Sequence, residues 1–512
     1  MVRVRFAPSP TGALHIGGVR TALYCYLFAK KSKGKFLLRI EDTDRARYVD
    51  GAEEYIIETL KWCGIEPNEG AGFGDGEFGP YRQSARKEIY WKYVQQLLDE
   101  GKAYRAFDTT DELDSMRKML ADKGSASLQY DAAIRMQMKN SLTMTADEVN
   151  SYLEKKTPHV IRIKMPENEE VTFEDIIRGA ITFNTKQLDD KILIKSDGMP
   201  TYHLANVVDD CLMKISHVIR GEEWLPSAPL HVMLYKFLGW ENEMPEFAHL
   251  PLILRPDGNG KLSKRDGDRI GFPVYPLNWK DPKTREESQG FRERGFFPEA
   301  FINMLAFLGW NPGNEQEIFS KEELVESFSL ERVVKAGAKF DFEKAKWFNQ
   351  QHLFKKSGKE LAVLIKPMIE DEGWDYEEIF VTKACEILKE RCTFPVDFKD
   401  LGYYLFEDIR EYDNKMIRKK WKEDSRKTLR PLLMKIFKDE DFSAGNIETH
   451  VKDFLEENNL GFGAVLPAFR LAMTGTMKGP PVFDIMGFLG KDRAMNRIIA
   501  SFKYFDSQIS LN

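Results

Sequence analysis

The first 44 residues follow a strand, turn, helix, strand order that restricts the possible folds more than any other feature of the chain. Residues 2–6 (VRVRF) alternate apolar and charged side chains, and residues 35–44 (KFLLRIEDTD) form an apolar stretch that ends in carboxylates, so both are predicted strands. Residues 18 to about 31 carry apolar side chains at helical spacing. Strands joined through a helix lie parallel, and the sequence therefore predicts a parallel α/β sheet.

The turn between the first strand and the helix, APSPTGALHIGG (7–18), contains the groups that a nucleotide phosphate site needs. Small residues and a histidine lie where a strand ends and a helix begins, and the free N–H groups of a helix N-terminus favour anions. Gly17 and Gly18 would let a nucleotide approach the backbone closely. The turn matches neither GxGxxG nor GxxxxGK[ST], so it fits equally well a capped turn in which His15 only starts the helix.

Length and composition set the broad class of the protein. A chain of 512 residues predicts roughly three or four domains of about 100–200 residues each. The net charge of -6 excludes a uniformly basic nucleic-acid binder but not local basic patches. Five scattered cysteines without a CxxC pair predict neither a disulfide framework nor a zinc cluster. With no secretion signal at the start and no stretch of about 18 apolar residues, a cytoplasmic protein is expected.

The rest of the chain divides by pattern. Residues 69–80 are glycine-rich and predict a flexible surface loop, whereas helical patterns dominate from 84 to about 156. Strand patterns follow over 159–198, and after about residue 340 the patterns are helical to the end.

Two further loops carry charged groups suited to a nucleotide or an amino acid. KLSKRDGD (261–268) places two lysines around a serine in a predicted loop, which suits a clamp on a triphosphate, although an isolated lysine cluster is more often a solvated basic loop. In RIEDTD, Glu41 and Asp44 could hold an ammonium or a ribose hydroxyl, and Arg82 and Gln83 of YRQS could contact them, although RIEDTD alone is more typical of a loop that caps a helix.

A third segment combines an arginine, a phenol and an amide. PTYHLANVVDD followed by VIRGEEW predicts a helix and then a strand, with Tyr202, Asn206 and Arg220 in or beside them. These side chains could together receive a carboxylate, although each alone is more typical of ordinary structural hydrogen bonding.

The order of these elements is more specific than any one of them. APSPTG with HIGG, RIEDTD, YRQS, PTYHLANVVDD and KLSKR together resemble the class I aminoacyl-tRNA synthetases, and within them the bacterial glutamyl enzymes. The resemblance covers about the first 340 residues motif by motif, and the helical remainder agrees in character. It implies ATP-dependent activation of glutamate as an adenylate, transfer to the 3′ end of tRNA(Glu), and release of AMP and pyrophosphate.

The resemblance also implies residue roles. The catalytic groups would be His15, Lys261 and Lys264. ATP would be bound by Ser9, His15, Gly17, Gly18, Glu223, Lys261 and Lys264, with Trp224 beside them. Glutamate would be bound by Arg5, Ser9, Glu41, Tyr202, Asn206 and Arg220. Gly18 stands where a second histidine is common, so more of the phosphate charge would fall on the two lysines.

The implied fold is α/β and multidomain: a parallel-sheet, Rossmann-like catalytic domain with a mixed α/β insertion, followed by an all-α C-terminal part. The catalytic domain would span 1–80 and 198–255, the acceptor-stem insertion 81–197, a stem-contact region with the KLSKR loop 256–345, and helical anticodon-binding domains 346–512. The implied partners are tRNA(Glu), L-glutamate and ATP with Mg²⁺, and a monomer with no membrane contact is expected.

Three finer expectations accompany this assignment. Some relatives carry a zinc site in the insertion, but no cysteine lies between Cys63 and Cys211, so no zinc is predicted. Between Lys415 and Lys438 there are ten Lys/Arg against two Asp/Glu, which suits either a solvated helix face or contact with tRNA phosphates. Arg391 falls where discriminating enzymes read the third anticodon base, and an arginine there favours cytosine.

Other functions remain open from the sequence. A glutaminyl-tRNA synthetase shares the front motifs but has β-barrel anticodon domains, and the short paralogue that modifies a tRNA base has no anticodon domain. A non-catalytic tRNA-binding relative is a third alternative. The presence of His15, Lys261 and Lys264 argues against it, because such a protein would not need them. A small nucleotidyltransferase of the same fold is excluded by the length and the pocket arginines.

Overall fold

The computed structural model describes residues 1–125 and 127–509, without the side chains of Lys264, Asp268 and Ile270. It divides into two compact units. The first unit contains Met1–Arg294 and Pro298–Phe342, and the second contains Gly295–Phe297 and Glu343–Asn512.

All strands among the described residues belong to the first unit. They are β1 (Arg3–Phe6), β2 (Lys35–Leu38), β3 (Glu69–Gly70), β4 (Ala103–Ala106), β5 (Val160–Ile163), β6 (Glu170–Asp175), β7 (Gly179–Asn184), β8 (Ile192–Ile194), β9 (His217–Gly221), β10 (Glu246–Leu250), β11 (Ile253–Leu254), β12 (Trp279–Lys280), β13 (Glu287–Ser288) and β14 (Ala338–Lys339). The helices of this unit are α1 (Ile16–Lys31), α2 (Ala52–Trp62), α3 (Lys87–Asp99), α4 (Thr110–Asp122), α5 (Ala146–Glu154), α6 (Tyr202–Leu212), α7 (Ala228–Phe237), α8 (Lys264–Ile270), α9 (Pro298–Ala306) and α10 (Lys321–Ser327).

The predicted strand, turn, helix, strand start is confirmed. β1 pairs in parallel with β2, which pairs in parallel with β3, and α1 crosses between the first two. A second sheet has the order β7-β6-β10-β9, in which β10 is parallel to both β6 and β9. Ser216, just before β9, bonds to Arg3: the Arg3 N–H donates to Ser216 Oγ at 2.8 Å. β1 and β9 therefore lie side by side, and ligands of parallel sheets bind at the carboxyl ends of strands where the order reverses.

The segment between the two sheet halves is mixed, as predicted. Helices α3 to α5 cover 87–154, and an antiparallel sheet β4-β5-β8 follows. The strands β6 and β7, however, join the sheet of β9 and β10 through the pair Phe247↔Asp175. Asp175 therefore lies in the same sheet as β9 and β10.

Two local predictions were wrong in part. Residues 69–70 of the glycine-rich segment form strand β3, where Glu69 is buried and accepts a hydrogen bond from Tyr81 Oη at 2.6 Å, whereas residues 72–80 form turns and loop at the surface. The segment 261–268 is a loop only as far as Ser263, which caps α8 through a reciprocal bond with Asp266. A serine followed three residues later by a carboxylate is a helix start, and the lysine pair hides that signal.

The second unit is helical, as the fading of strand patterns after residue 340 predicts. Its helices are α11 (Phe342–Lys355, which starts in the first unit), α12 (Gly358–Asp371), α13 (Glu378–Leu388), α14 (Asp397–Asp400), α15 (Asn414–Lys420), α16 (Ser425–Lys438), α17 (Ala444–Glu457), α18 (Leu466–Thr474) and α19 (Val482–Ile509). Trp421, fully buried, packs against Phe502 and Phe505 of α19 and donates its indole N–H to Asp506 at 2.9 Å. This aromatic contact holds α15 and α16 against the last helix.

Candidate active site

A cleft of about 480 Å³ opens at the carboxyl ends of β1 and β9, beside the N-terminus of α1. It brings together nearly all the residues that the sequence assigned to ATP and glutamate. These are Arg5, Ser9, His15, Gly17, Gly18, Glu41, Tyr202, Asn206, Arg220, Glu223 and Lys261, with Trp224 beside them. The side chain of Lys264 is outside the described part of the structure, and Arg391 lies in the second unit.

His15 is the N-cap of α1 and its ring has one free nitrogen. Nδ1 accepts a hydrogen bond from the Gly17 N–H at 3.2 Å, whereas Nε2 is buried and has no hydrogen-bond partner in the described part of the chain. Burial, with the charge of Lys261, lowers the pKa of His15 to about 4. The ring is therefore neutral at pH 7 with its proton on Nε2, which leaves one N–H donor for a ligand.

The two glycines of the first turn differ in how much room surrounds them. A Cβ on Gly17 would lie 3.6 Å from His15 Nδ1, an ordinary contact. A Cβ on Gly18 would lie 2.5 Å from Leu14 Cδ1, so a larger residue would have to move that side chain. Leu14 thus occupies the space that a second histidine would need.

Lys261 and Glu223 form an ion pair at the edge of the cleft. Lys261 Nζ lies 2.8 Å from Glu223 Oε1, and the two side chains are 54% and 41% exposed. Burial opposes ionisation of Glu223, but the hydrogen bond and charge of Lys261, a backbone hydrogen bond and the charge of Arg20 together lower its pKa. An exposed pair of this kind is weak, so phosphate oxygens could draw the lysine away.

Arg5 is already compensated by an acidic residue. Its Nε and Nη2 donate to the two carboxylate oxygens of Asp210 at 3.0 and 3.2 Å, and both side chains are buried. Arg39 also donates to Asp210, at 2.7 Å from Nη1. Burial raises the pKa of Asp210 less than these two arginines lower it, so the carboxylate is ionised. Only Nη1 of Arg5 is left for a ligand.

Glu41 is held by two donors on one oxygen. Arg39 Nη2 and Asn206 Nδ2 each donate to Glu41 Oε1 at 3.0 Å. Burial raises the pKa of Glu41 in spite of Arg39 and Arg5. An ammonium group on the remaining oxygen would counter that effect, and this fits the predicted role in binding the amino group of glutamate.

Arg220 differs from Arg5 because no acidic residue in the described part of the structure forms an ion pair with it. Its Nη1 donates to Tyr202 Oη at 2.8 Å, and its buried Nη2 has no hydrogen-bond partner among the described residues. The Tyr202 ring lies against Trp224 with 4.6 Å between ring centres. A buried cation with free donors is a receptor for a carboxylate.

The YRQS loop does bind a carboxylate of RIEDTD, because Ser84 donates its N–H and Oγ to Asp42 at 2.7 and 2.6 Å, but the expected hydrogen bonds from Arg82 and Gln83 to Glu41 or Asp44 are not among the contacts of the described residues. Arg82 pairs with Glu53, and Gln83 donates to Asp209 Oδ2 at 2.9 Å. The loop runs beside Ile40 in a parallel bridge, and Gln83 lines the second cleft described below together with Glu41 and Asp44.

A second cleft of about 600 Å³ adjoins the first and shares Ser9, Glu41, Tyr202 and Trp224 with it. Its cationic lining residues are Arg47, Arg117, Arg162, Lys191 and Lys195. Aromatic side chains, Tyr48 and Tyr130, also line it. Cations and aromatic rings together suit a single-stranded nucleic acid end.

Basic groups are also exposed in the second unit. The ten Lys/Arg side chains between Lys415 and Lys438 are all exposed, although Arg426 pairs with Asp506 at 2.7 Å. Arg391 is exposed, and its charge together with burial lowers the pKa of Arg470. Two close cations in one unit favour an anionic partner there.

The described residues contain neither a candidate metal cluster nor a candidate membrane-spanning helix. No cluster of three or more His, Cys, Asp or Glu side chains could share a metal ion, and the prediction of no zinc stays a prediction. None of the described helices combines the length and apolar character needed to span a bilayer.

Sequence reasoning missed the buried charges beneath the cleft. Arg39 forms ion pairs with Glu41, Asp209 and Asp210, and Asp210 also pairs with Arg5. The signal was present, because an arginine after KFLL and two aspartates at the end of an apolar helix face cannot be buried without partners.

Comparison with known proteins agrees with this geometry. A family model described as tRNA synthetases class I (E and Q), catalytic domain, matches residues 1–347, and an anticodon binding domain model matches 360–501. The glutamate–tRNA ligase of Phocaeicola vulgatus is 55% identical over 498 residues, which is 97% of each chain. That of Parabacteroides distasonis is 54% identical, again over 97% of each chain.

Solved structures give the same result. The crystal structure of a glutamate tRNA ligase from Elizabethkingia meningosepticum in complex with its amino acid has a TM-score of 0.92 and 48% identity. The match covers 98% of this chain and 99% of that one. Because the catalytic-domain model alone matches well over half of the chain, the protein belongs to the class I tRNA synthetases of the E and Q group.

Proposed function

We propose that this protein joins L-glutamate to the 3′ end of tRNA(Glu) with ATP, as a glutamate–tRNA ligase. The observation that carries the proposal is 55% identity over 97% of the chain to a protein of that name. The cleft supports it chemically, since a buried arginine without an acidic partner and a buried carboxylate line the same cavity.

The reaction has two steps. An α-carboxylate oxygen of glutamate attacks the α-phosphorus of ATP, the bond to pyrophosphate breaks, and glutamyl adenylate forms. A ribose hydroxyl of the terminal adenosine of tRNA then attacks the activated carbonyl and loses its proton, and AMP leaves. Neither step needs a covalent bond to the protein, so its contribution is positioning and charge stabilisation.

The amino-acid end of the cleft would bind glutamate by its charges. Arg220 offers Nη2, Arg5 offers Nη1, and Glu41 offers its second oxygen to the ammonium group. Glutamine lacks the side-chain negative charge, so it would leave a buried guanidinium uncompensated, and polar sites reject such analogues strongly.

The other end of the cleft would bind ATP. His15 supplies the Nε2–H donor, and the N–H groups of the first turn of α1 at Gly17 and Gly18 lie at the positive end of the helix dipole. Lys261 would move from Glu223 to the phosphates, and Lys264, at the start of α8, would act with it. Ser9 lines both clefts, where it would contact either substrate.

Mg²⁺ would enter with ATP. Such an ion prefers phosphate oxygens, waters and one or two carboxylates, and the half-exposed Glu223 is the carboxylate available on that side. When bound, it would neutralise part of the negative charge on the phosphates.

The second cleft and the second unit would bind tRNA. The 3′ end of the acceptor strand would enter the cationic cleft beside Glu41 and Tyr202. Arg391 and the basic segment from Lys415 to Lys438 would contact the anticodon arm. The domain boundaries given above, a monomeric state and a cytoplasmic location are part of this proposal.

Charging assays test the proposal. Purified protein with labelled glutamate and ATP should esterify tRNA(Glu), and labelled glutamine should give no product. Charging with glutamine would instead indicate a glutaminyl enzyme, and no charging with either amino acid would indicate a non-catalytic relative.

A further inference from the structure

Among the residues that the structure describes, only neutral groups orient Arg220. Its Nε donates to His249 Nε2 at 3.0 Å, and Nη1 donates to Tyr202 Oη at 2.8 Å and lies 3.4 Å from His231 Nδ1. The residue is 5% exposed, and its Nη2 has no partner. Its orientation is therefore fixed while its charge is not balanced.

His249 can accept from Arg220 in one protonation state only. Because Arg220 Nε–H points at Nε2, that nitrogen must carry a lone pair, and the proton must lie on Nδ1. Nδ1 is 2.6 Å from Asp175 Oδ2, and both side chains are fully buried. Burial also lowers the pKa of His249, which keeps the ring neutral despite Asp175.

Asp175 is itself fixed by the backbone. Its Oδ1 accepts from the N–H groups of Ile177 and Arg178 at 3.0 and 2.9 Å, and Oδ2 accepts from the His249 N–H at 3.1 Å. Burial opposes ionisation, but these hydrogen bonds and His249 lower the pKa of Asp175. The carboxylate therefore presents a permanent acceptor to His249 Nδ1.

Three neighbouring strands hold this row of side chains. His249 on β10 is the register partner of Arg220 on β9, and Asp175 ends β6 on the other side of β10. The imidazole ring thus stands between the negative charge of Asp175 and the positive charge of Arg220.

Arg5 shows the alternative arrangement in the same cleft. There the carboxylate of Asp210 contacts the guanidinium directly and neutralises it. An arginine paired in that way depends less on a substrate anion than Arg220, whose charge no acidic residue balances among the described ion pairs.

From this geometry we infer that Asp175 and His249 are positioning residues that set the selectivity of the cleft for glutamate over glutamine. Asp175 fixes the tautomer of His249, and His249 orients Arg220 through a neutral acceptor, which reserves the arginine charge for the side-chain carboxylate of glutamate, the group that glutamine lacks. The inference rests on the proposed role of Arg220 as a carboxylate receptor. It concerns the residues behind that receptor, which do not touch the substrate.

Asp175→Asn is the first test. The Asn oxygen can keep the bonds from Ile177 and Arg178, but its NH₂ group donates to His249 Nδ1. The ring proton must then lie on Nε2, which can no longer accept a hydrogen bond from Arg220. We expect the KM for glutamate to rise roughly 10- to 100-fold, because a hydrogen bond to a charged group is lost. The KM for ATP and the affinity for tRNA should stay within about twofold of wild type, whereas a parallel rise in all three would indicate only a structural role and overturn the inference.

A matched pair of double variants isolates charge from shape. Asp175→Asn/His249→Glu places a carboxylate against Arg220, and Asp175→Asn/His249→Gln places a neutral amide of the same size there. We expect the ratio of kcat/KM for glutamate to that for glutamine to be at least about 10-fold lower in the first variant than in the second. Equal ratios would contradict the inference.

Two measurements keep the test independent of folding and of the proposed function. In the wild-type protein, ¹⁵N NMR of the histidine side chains, with His249 assigned from the signal missing in His249→Gln, should show a proton on Nδ1 alone. A proton on Nε2 would overturn the inference. Arg220→Lys tests the role of Arg220 separately: an unchanged KM for glutamate refutes that role, whereas a raised KM together with a normal KM in Asp175→Asn refutes only the positioning pair.

Discussion

Lys261 Nζ donates to Glu223 Oε1 at 2.8 Å, with both side chains about half exposed. The pair sits at the edge of the ATP end of the cleft and stabilises the fold by at most about 1 kcal/mol. The lysine is therefore available to follow the phosphate charge as it shifts from ATP to pyrophosphate.

Replacement of Lys261 should affect chemistry and not folding. We expect Lys261→Met to lower the rate of glutamyl adenylate formation about 100-fold, as is typical when one group that stabilises transition-state charge is removed. Single-turnover kinetics measure this rate. Lys280→Met is the matched control, since Lys280 forms a similar exposed pair with Glu287 at 2.7 Å outside the cleft, and an equal loss in both variants would refute the assignment.

His15 should make the folded state sensitive to acid. Its pKa is about 4 in the folded protein, below the ordinary value of a histidine, so the unfolded chain binds the proton first as the pH falls. The neutral, buried ring contributes fully to the free energy of unfolding when the pH is above the ordinary pKa of histidine. This contribution is lost as the pH falls from that value towards about 4, and the loss is about 1–2 kcal/mol at pH 5.

The comparison with His15→Gln isolates this effect. Asp190 titrates in the same range with the opposite sign, because burial raises its pKa to about 6. The difference between wild type and variant removes that contribution. Urea unfolding at pH 7.5 and pH 5 should show a smaller loss of stability in the variant, and an identical loss would contradict the neutral, buried state of His15.

Arg39 should be essential for stability. It is fully buried and pairs with Glu41, Asp209 and Asp210, so Arg39→Met would leave these carboxylates without their shared cation. We expect a loss of about 3–5 kcal/mol in the free energy of unfolding. Arg47→Met breaks the exposed pair with Asp44 and should cost less than about 1 kcal/mol; similar losses in the two variants would show that the buried network is not needed.

Arg391 should affect the choice between tRNAs. We expect Arg391→Ala to reduce the preference for tRNA(Glu) with cytosine at the third anticodon position roughly 10-fold, since one hydrogen bond to a charged donor is removed. Arg418→Ala, in the exposed basic segment, should weaken the binding of all tRNAs equally. If Arg391→Ala also weakened them equally, its role would be contact with phosphate and not with a base.

The parallel sheet and the helical second unit followed from the sequence because their patterns are local. The alternation in VRVRF and the helical spacing after Gly18 depend on neighbours a few residues apart. The residues of the cleft could be assigned to one site because their motifs occur along the chain in the order of a known family.

The charge network and the row from Asp175 to Arg220 could not be predicted in the same way. Their members are far apart in sequence: 171 residues separate Arg39 from Asp210, and 74 separate Asp175 from His249. Which acidic residue neutralises which arginine depends on strand order and register, and these are set by long-range packing. The start of α8 at Lys264 was missed because the two lysines suggested a loop, although the Ser263 cap was present in the sequence.

The most direct test of the central claim is exchange of labelled pyrophosphate into ATP, with glutamate or glutamine, in the presence and absence of tRNA(Glu). The account predicts exchange with glutamate that requires tRNA, as the family resemblance implies, and none with glutamine. Exchange with glutamine would contradict the role of Arg220, and no exchange under any condition would contradict catalysis altogether.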